Sequence, residues 1–273
     1  MRANLDDLIV EAMLVDDTRS RIRVRTDGIM VLLKAMQIRE GETPSPEHMV
    51  SMRIWIDSHR VITTREADID PIREISEQLD AGRGPEQPSA FLAELVELNL
   101  DGIDPFIEEL EDAVDRLNQL VITHQTEDSC PRIANIQQQI SSFLRHLVPQ
   151  RQVLEVLSQT EHPAFTSRDR SRFDDALNHL LRLLETLQNL RERTDILNDQ
   201  QIRIQDRERN RTSYIFAIAA TIFLPLTFIT GLFGVNLTGI PLAQESAGFW
   251  VLVLACTGIG IAVIAYFRWR RWL

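Results

Sequence analysis

Cysteine is scarce here: only Cys130 and Cys256 occur in 273 residues. Cys256 stands inside an apolar run, so the two are not expected to pair, and no disulfide framework is implied. Cys130 with His124 lacks the second close pair that a zinc centre requires. His48, His59, His146, His162 and His179 are scattered singly along the chain and form no ligand cluster. There is no P-loop, no GxSxG, no HExxH and no cysteine spacing typical of zinc, so a soluble enzyme has no signature to rest on. The first seventeen residues are acidic and lack the basic start and apolar run of a secretory signal. Basic residues are in deficit, 29 Lys plus Arg against 40 Asp plus Glu, for a net charge of -11. That balance argues against nucleic acid as a partner, because phosphate binding draws on clustered Lys and Arg. Charge alone is accounted for by a solvated acidic surface, although a field of this sign also attracts cations.

Charge is missing altogether from two long stretches near the end. Residues 212–244 and 246–267 contain none, whereas no uncharged run of comparable length occurs earlier. About 20 apolar residues span a bilayer core as helix, so both stretches qualify as membrane spans. Arg203, Arg207, Arg209 and Arg211 precede the first, and Arg268, Arg270 and Arg271 follow the second. The connection between them holds only Glu245. Basic flanks stay cytoplasmic, which places both termini inside and the short loop outside; Trp269 and Trp272 fit an interfacial belt.

The polar part divides in two. Residues 21–64 read as extended: RIRV, GIMVLLKAMQI, MVSMRIWI and RVITT, the last two joined by a turn at Asp57-Ser58-His59. Alternation of Met52, Ile54 and Ile56 predicts a half-buried strand. AGRGPEQPS, residues 81–89, is a Gly/Pro-rich break. Helical spacing follows in Phe106, Leu110, Val114, Leu117 and Val121, and again in Ile133, Ile136, Ile140, Phe143 and Leu147 up to Pro149. A third series, Phe173, Leu177, Leu180, Leu184 and Leu187, continues through Leu190, Thr194, Leu197 and Ile204. No breaker stands between Ser167 and Leu224, so one helix is expected to run from the polar part into the first span. At 1.5 Å per residue it would extend roughly 100 Å.

The first span is polar for a lipid-facing helix. Asn210, Ser213, Ala217, Ala220, Leu224, Thr227, Gly231 and Gly234 recur every three or four residues and form one small, weakly polar face. Such a face permits close helix approach; it also suits the wall of a pore, which needs several chains because one such helix encloses nothing. Pro225 has no N–H to give the Thr221 carbonyl, which frees that oxygen. Such oxygens are tolerated where they line a cavity or meet a neighbouring helix. Neither span carries Asp, Glu, Lys, Arg or His. A passing ion would therefore keep much of its water, handled by hydroxyls, carbonyls and the Asn236 amide.

The segment TIFLPLTFITGLFGVN, the second span and the terminal RWRRWL resemble the CorA family of divalent-cation transport proteins. The family's Tyr/Phe-Gly-Met-Asn signature reads Phe233-Gly234-Val235-Asn236 here. Val235 in place of methionine, with LTGIP after it, resembles the zinc-associated ZntB branch, and the outer loop lacks the acidic residues usual in the magnesium branch. The resemblance implies an α/β cytoplasmic domain, a very long helix, two transmembrane helices and a homo-oligomeric, pentameric funnel in the inner membrane. It implies uptake of Zn2+, linked to protons, with Mg2+, Co2+ or Ni2+ as alternatives, and no resident cofactor. Carried over by position, Asn236 with Gly234 and Val235 forms the selectivity ring, Thr227 a polar ring and Leu224 an apolar constriction. Phe216 falls on a second constriction, where the stripe equally places Ala217, and Asn210 falls on an amide ring at the cytoplasmic entrance. The expected organisation is an N-terminal α/β part at 1–88, a helical region with the stalk at 89–211, spans at 212–236 and 246–267, a loop at 237–245 and a basic tail at 268–273. The family's N-terminal part is usually longer than the residues before Ala81, which points to a shortened or divergent domain. A reading of another class is a membrane-anchored helical adaptor, which accounts for the long helix and the acidity but not for the stripe, Pro225 or the GVN.

Overall fold

The computed structural model describes residues 7–14, 19–37, 48–65, 67–123, 129–234 and 246–270. By its internal contacts the chain divides into a unit of residues 1–201 and a unit of residues 202–273.

The first unit holds a four-stranded antiparallel sheet in the order β1 (Arg21–Val24), β2 (Ile29–Met36), β3 (Met49–Ile56) and β4 (Val61–Arg65). Each strand lies beside its sequence neighbour, as the four extended stretches predict. Gly28 enters β2 beneath an aromatic ring: a Cβ there would lie 2.4 Å from Cζ2 of Trp55, so only glycine fits. The hairpin at Asp57 is closed by its own carboxylate, which accepts from the backbone N–H groups of His59 at 2.8 Å and Arg60 at 3.1 Å.

β3 is not half-buried. Met52, Ile54 and Ile56 are fully enclosed, and so are Ser51, Arg53 and Trp55 on the opposite face. The reason is a helix that periodicity did not single out, α1 (Asp7–Leu14), whose Ile9 and Met13 cluster with Met30 and Trp55. With both faces covered, the alternating pattern loses its polar side. The β1–β2 register runs from Val24↔Ile29 to Arg21↔Leu32. Beyond it the carbonyl of Lys34 accepts from Nδ2 of Asn99 at 3.0 Å and Nε2 of Gln150 at 3.2 Å, which ties β2 to α3 and α5.

The helices α2 (Asp70–Asp80), α3 (Pro88–Asp101) and α4 (Asp104–Ile122) each begin with a proline in the first turn, where a missing N–H costs nothing. α2 was not anticipated either, although Asp70-Pro71 is a usable start signal. It stops at Gly82, which takes φ +68. α5 (Ser129–Gln159) does not end at Pro149 but passes through it. Val153, Leu154 and Leu157 beyond the proline are buried, and their packing outweighs a break of about 3 kcal/mol.

α6 runs unbroken from Ser167 to Phe233, 67 residues or about 100 Å. Its apolar stripe, Phe173, Leu180, Leu184, Leu187, Leu190, Thr194 and Leu197, is buried as the periodicity predicts. Arg172 anchors it to α3 with a two-pronged bond to Glu97, Nε to Oε1 at 2.8 Å and the terminal nitrogen to Oε2 at 2.6 Å. In the second unit, residues 202–233 complete α6, and α7 covers Ser246–Trp269.

Candidate ion pathway

Both apolar stretches are helical, long enough to cross a bilayer and unburied in the single chain, with mean hydropathies of 2.2 and 2.3. The faces of the first differ. Half-buried Ile218, Ile222, Pro225, Leu226 and Ile229 share one side. Ala217, Ala220, Leu224, Thr227 and Gly231 are exposed, and at 100° per residue they lie on roughly the opposite side. Asn210 and Ser213 continue that stripe toward residue 202 and are also exposed. Leu224 is 73% exposed and Phe216 70%, Phe216 standing at the stripe's edge rather than its centre. The small, weakly polar stripe is exposed in the single chain, as are Ile215, Phe223, Phe228 and Leu232 on other sides of the helix, and only the side of Ile218 and Ile222 is partly covered.

Hydroxyl chemistry sharpens this picture. Thr212, Thr221 and Thr230 donate back to the carbonyls of Glu208, Ala217 and Leu226 at 3.1, 2.8 and 2.9 Å. Such bonds satisfy a hydroxyl inside its own helix. Thr227 is the described threonine of this span whose hydroxyl makes no such bond, and it lies on the stripe. It can offer both its proton and its lone pairs to water. Pro225 sits inside the helix, so the Thr221 carbonyl receives no N–H from position 225.

The helix closes at Gly234, whose N–H donates to the carbonyls of Thr230 at 2.9 Å and Gly231 at 3.2 Å. A Cβ on Gly234 would stand 3.1 Å from the Thr230 oxygen, tight packing that favours glycine. Val235, Asn236 and the 237–245 loop lie outside the described residues. At the other end of α7, the guanidinium of Arg270 lies 6.0 Å from the ring centres of Tyr266 and Trp269, a cation–π arrangement suited to a headgroup layer.

His179 is not isolated, contrary to its place in the sequence. Its Nε2 lies 3.0 Å from Oδ1 of Asp104 and its Nδ1 3.7 Å from Oδ1 of Asp101. One ligand atom from each of the three falls within 4.8 Å of the others, so they could hold a metal ion. The group joins the end of α3, the start of α4 and α6, a tertiary meeting that no local spacing announces. Cys130 is exposed and Cys256 half-buried, neither in a disulfide, and His124 lies outside the described residues.

A family profile described as "CorA-like Mg2+ transporter protein" matches residues 1–271. The chain belongs to the CorA family. Members of this family are divalent-cation transporters, not enzymes, and this membrane protein with two apolar C-terminal helices is one of them. Among its CorA relatives is the divalent cation transporter CmaX of Pseudomonas aeruginosa, 30% identical over 99% of this chain and 82% of that protein. Another is the zinc transport protein ZntB of Yersinia enterocolitica, 28% identical over 98% of this chain and 81% of that one. The solved full-length CmaX structure superposes with a TM-score of 0.81, covering 99% of this chain and 83% of that one, at 30% identity. The CorA magnesium transporter of Methanocaldococcus jannaschii shares the fold at the same TM-score and 20% identity, over 97% and 83% of the two chains.

Proposed function

We propose that copies of this chain assemble around the stripe from Asn210 to Gly234, as a pentamer, and conduct hydrated divalent cations across an inner membrane with both termini cytoplasmic. The observation that carries the reading is the composition of the stripe opposite the half-buried side. The stripe is small and weakly polar, holds the unbonded Thr227 hydroxyl and leads to Gly234-Val235-Asn236. Asn236 offers a neutral acceptor and donor to the water shell of the ion. Leu224 and Phe216 narrow the path with apolar rims, and Asn210 supplies amides at the inner mouth.

Zinc is the preferred cargo. Val235 replaces methionine in the signature, the outer loop has only Glu245, and ZntB proteins are among the relatives. Magnesium, cobalt and nickel are the alternatives, with CmaX named only for divalent cations. No Asp, Glu, Lys, Arg or His stands in either span, so no buried carboxylate or imidazole relay is available there. Proton linkage would act through co-movement with the ion or through groups outside the bilayer.

The test is flux into proteoliposomes for zinc, magnesium, cobalt and nickel in competition, with and without an imposed pH gradient. Zinc uptake that is accelerated by the gradient and lost in Asn236→Ala is expected. Uptake unchanged by Asn236→Ala removes the selectivity role; magnesium outcompeting zinc moves the chain to the magnesium class. Indifference to the gradient removes proton linkage.

A further inference from the structure

Between α4 and α5 runs a solvent-open groove with a cavity of about 580 Å3. Small-molecule sites commonly measure about 300–1,000 Å3. Leu117, Leu120 and Ile136 form its apolar floor, with Leu117 and Ile136 buried. The charged residues that line it are Arg116 from α4 and Arg132 from α5; no Asp or Glu is among the described residues of its wall. In a chain with 40 acidic residues against 29 basic ones, a cavity whose charge is wholly positive departs from the rest of the surface.

Neighbouring carboxylates leave these guanidiniums available. Asp112 stands 4.0 Å from Arg116, at the outer reach of an ion pair, and both side chains are largely exposed, so the contact contributes little. Asp115, on the same helix, is engaged by Arg193 of α6. Arg132 makes no ion pair or hydrogen bond among the described residues. Beside it, Nε2 of Gln139 donates to Oδ1 of Asn135 at 3.1 Å, which uses the Asn135 acceptor and leaves its NH2 as a donor. A guanidinium keeps its charge at any working pH and matches phosphate or carboxylate oxygens with paired N–H groups. Two of them above an apolar floor suit an anion that also carries an apolar body. An inorganic ion would leave the floor wet, and an uncharged compound would leave the guanidiniums without a counter-charge.

We propose that this groove binds one small, soluble organic anion per chain. Its phosphate or carboxylate head lies between Arg116 and Arg132, and its aromatic or short aliphatic body lies over Leu117, Leu120 and Ile136. The bound anion ties α4 to α5. The site contains none of the residues of the ion path, so it does not depend on the transport reading.

The experiment titrates the full-length protein in phosphatidylcholine discs with 2-naphthyl phosphate by calorimetry, with empty discs as the blank. Saturable binding of about one molecule per chain is expected. Arg116→Gln and Arg132→Gln should each weaken it about tenfold, the usual scale for a charge-assisted hydrogen bond. Arg151→Gln, on α5 but outside the groove, should leave it unchanged. 2-Naphthoate should compete, whereas inorganic phosphate and 2-naphthalenemethanol should each bind at least about tenfold more weakly. Both arginines are exposed, so their variants are expected to melt like the wild type. If either melts early, Arg132→Lys, which keeps the charge but loses the fork, should still weaken binding about threefold. Absence of binding to the wild type, or wild-type affinity in both glutamine variants, overturns the proposal. So does equal binding of inorganic phosphate, which would give the floor no role, or of 2-naphthalenemethanol, which would give the charge none. Competition from phosphatidate placed in the discs would assign the groove to a lipid headgroup and overturn the soluble ligand.

Discussion

Thr166 and Asp169 hold the start of the longest helix in the molecule. The Thr166 N–H donates to Asp169 Oδ2 at 2.8 Å and its hydroxyl to the same oxygen at 2.6 Å; the Asp169 N–H returns a bond to the Thr166 hydroxyl at 3.2 Å. This reciprocal cap satisfies donors that the first turn of α6 would otherwise leave bare. Burial pushes the Asp169 carboxyl up, but the Thr166 hydroxyl and N–H, the Ser89 hydroxyl and the charge of Arg172 together hold it below the usual carboxylate range. A carboxylate depressed in the folded state stabilises fully above its unfolded pKa, and that contribution vanishes as pH falls through the folded one. Asp169→Asn is therefore expected to cost about 1 kcal/mol at neutral pH. The gap from wild type should close in acid. Denaturant unfolding of the full chain at several pH values measures both; a pH-independent gap would show that the charge plays no part.

At the level of elements, the third helical series was legible because it rests on a local period that burial respects, the strands as apolar extended runs between turns, and both apolar helices by their length and lack of charge. α1 was not, since its covering role appears only once Met30 and Trp55 are paired across β2 and β3. Pro149 misled for a related reason: a proline signals a stop locally, whereas Val153, Leu154 and Leu157 keep α5 going through tertiary packing. The small, weakly polar face was readable as spacing, yet the distinction among the span's threonines was not. Only the helix geometry separates Thr227, whose hydroxyl makes no intrahelical bond, from Thr230, whose hydroxyl donates to the Leu226 carbonyl. Thr227→Val is expected to lower metal flux several-fold by removing a water partner from the path. Thr230→Val, off the stripe and already satisfied by its own backbone, should change flux by less than about twofold. Equal effects of the two substitutions in the same liposome assay would mean that neither hydroxyl meets the ion.

For the whole molecule, a single first-span helix cannot enclose water, so the proposed pore wall requires several chains. The opposed faces of that helix give a direct means of locating the axis. In a chain whose own thiols are removed by Cys130→Ser and Cys256→Ser, Ala217→Cys or Leu224→Cys would place one new thiol per subunit on the exposed stripe. Ile222→Cys places it on the half-buried side, roughly opposite around the helix. If five stripes surround one path, a short bifunctional thiol reagent applied in native membranes links neighbouring subunits at 217 and 224. Each subunit carries one thiol, so the expected product is a covalent dimer, and substitution at 222 should leave mostly monomer. A dimer at 222 with none at 217 or 224 would put the threonine face against acyl chains. The cation path would then have to be sought elsewhere in the assembly.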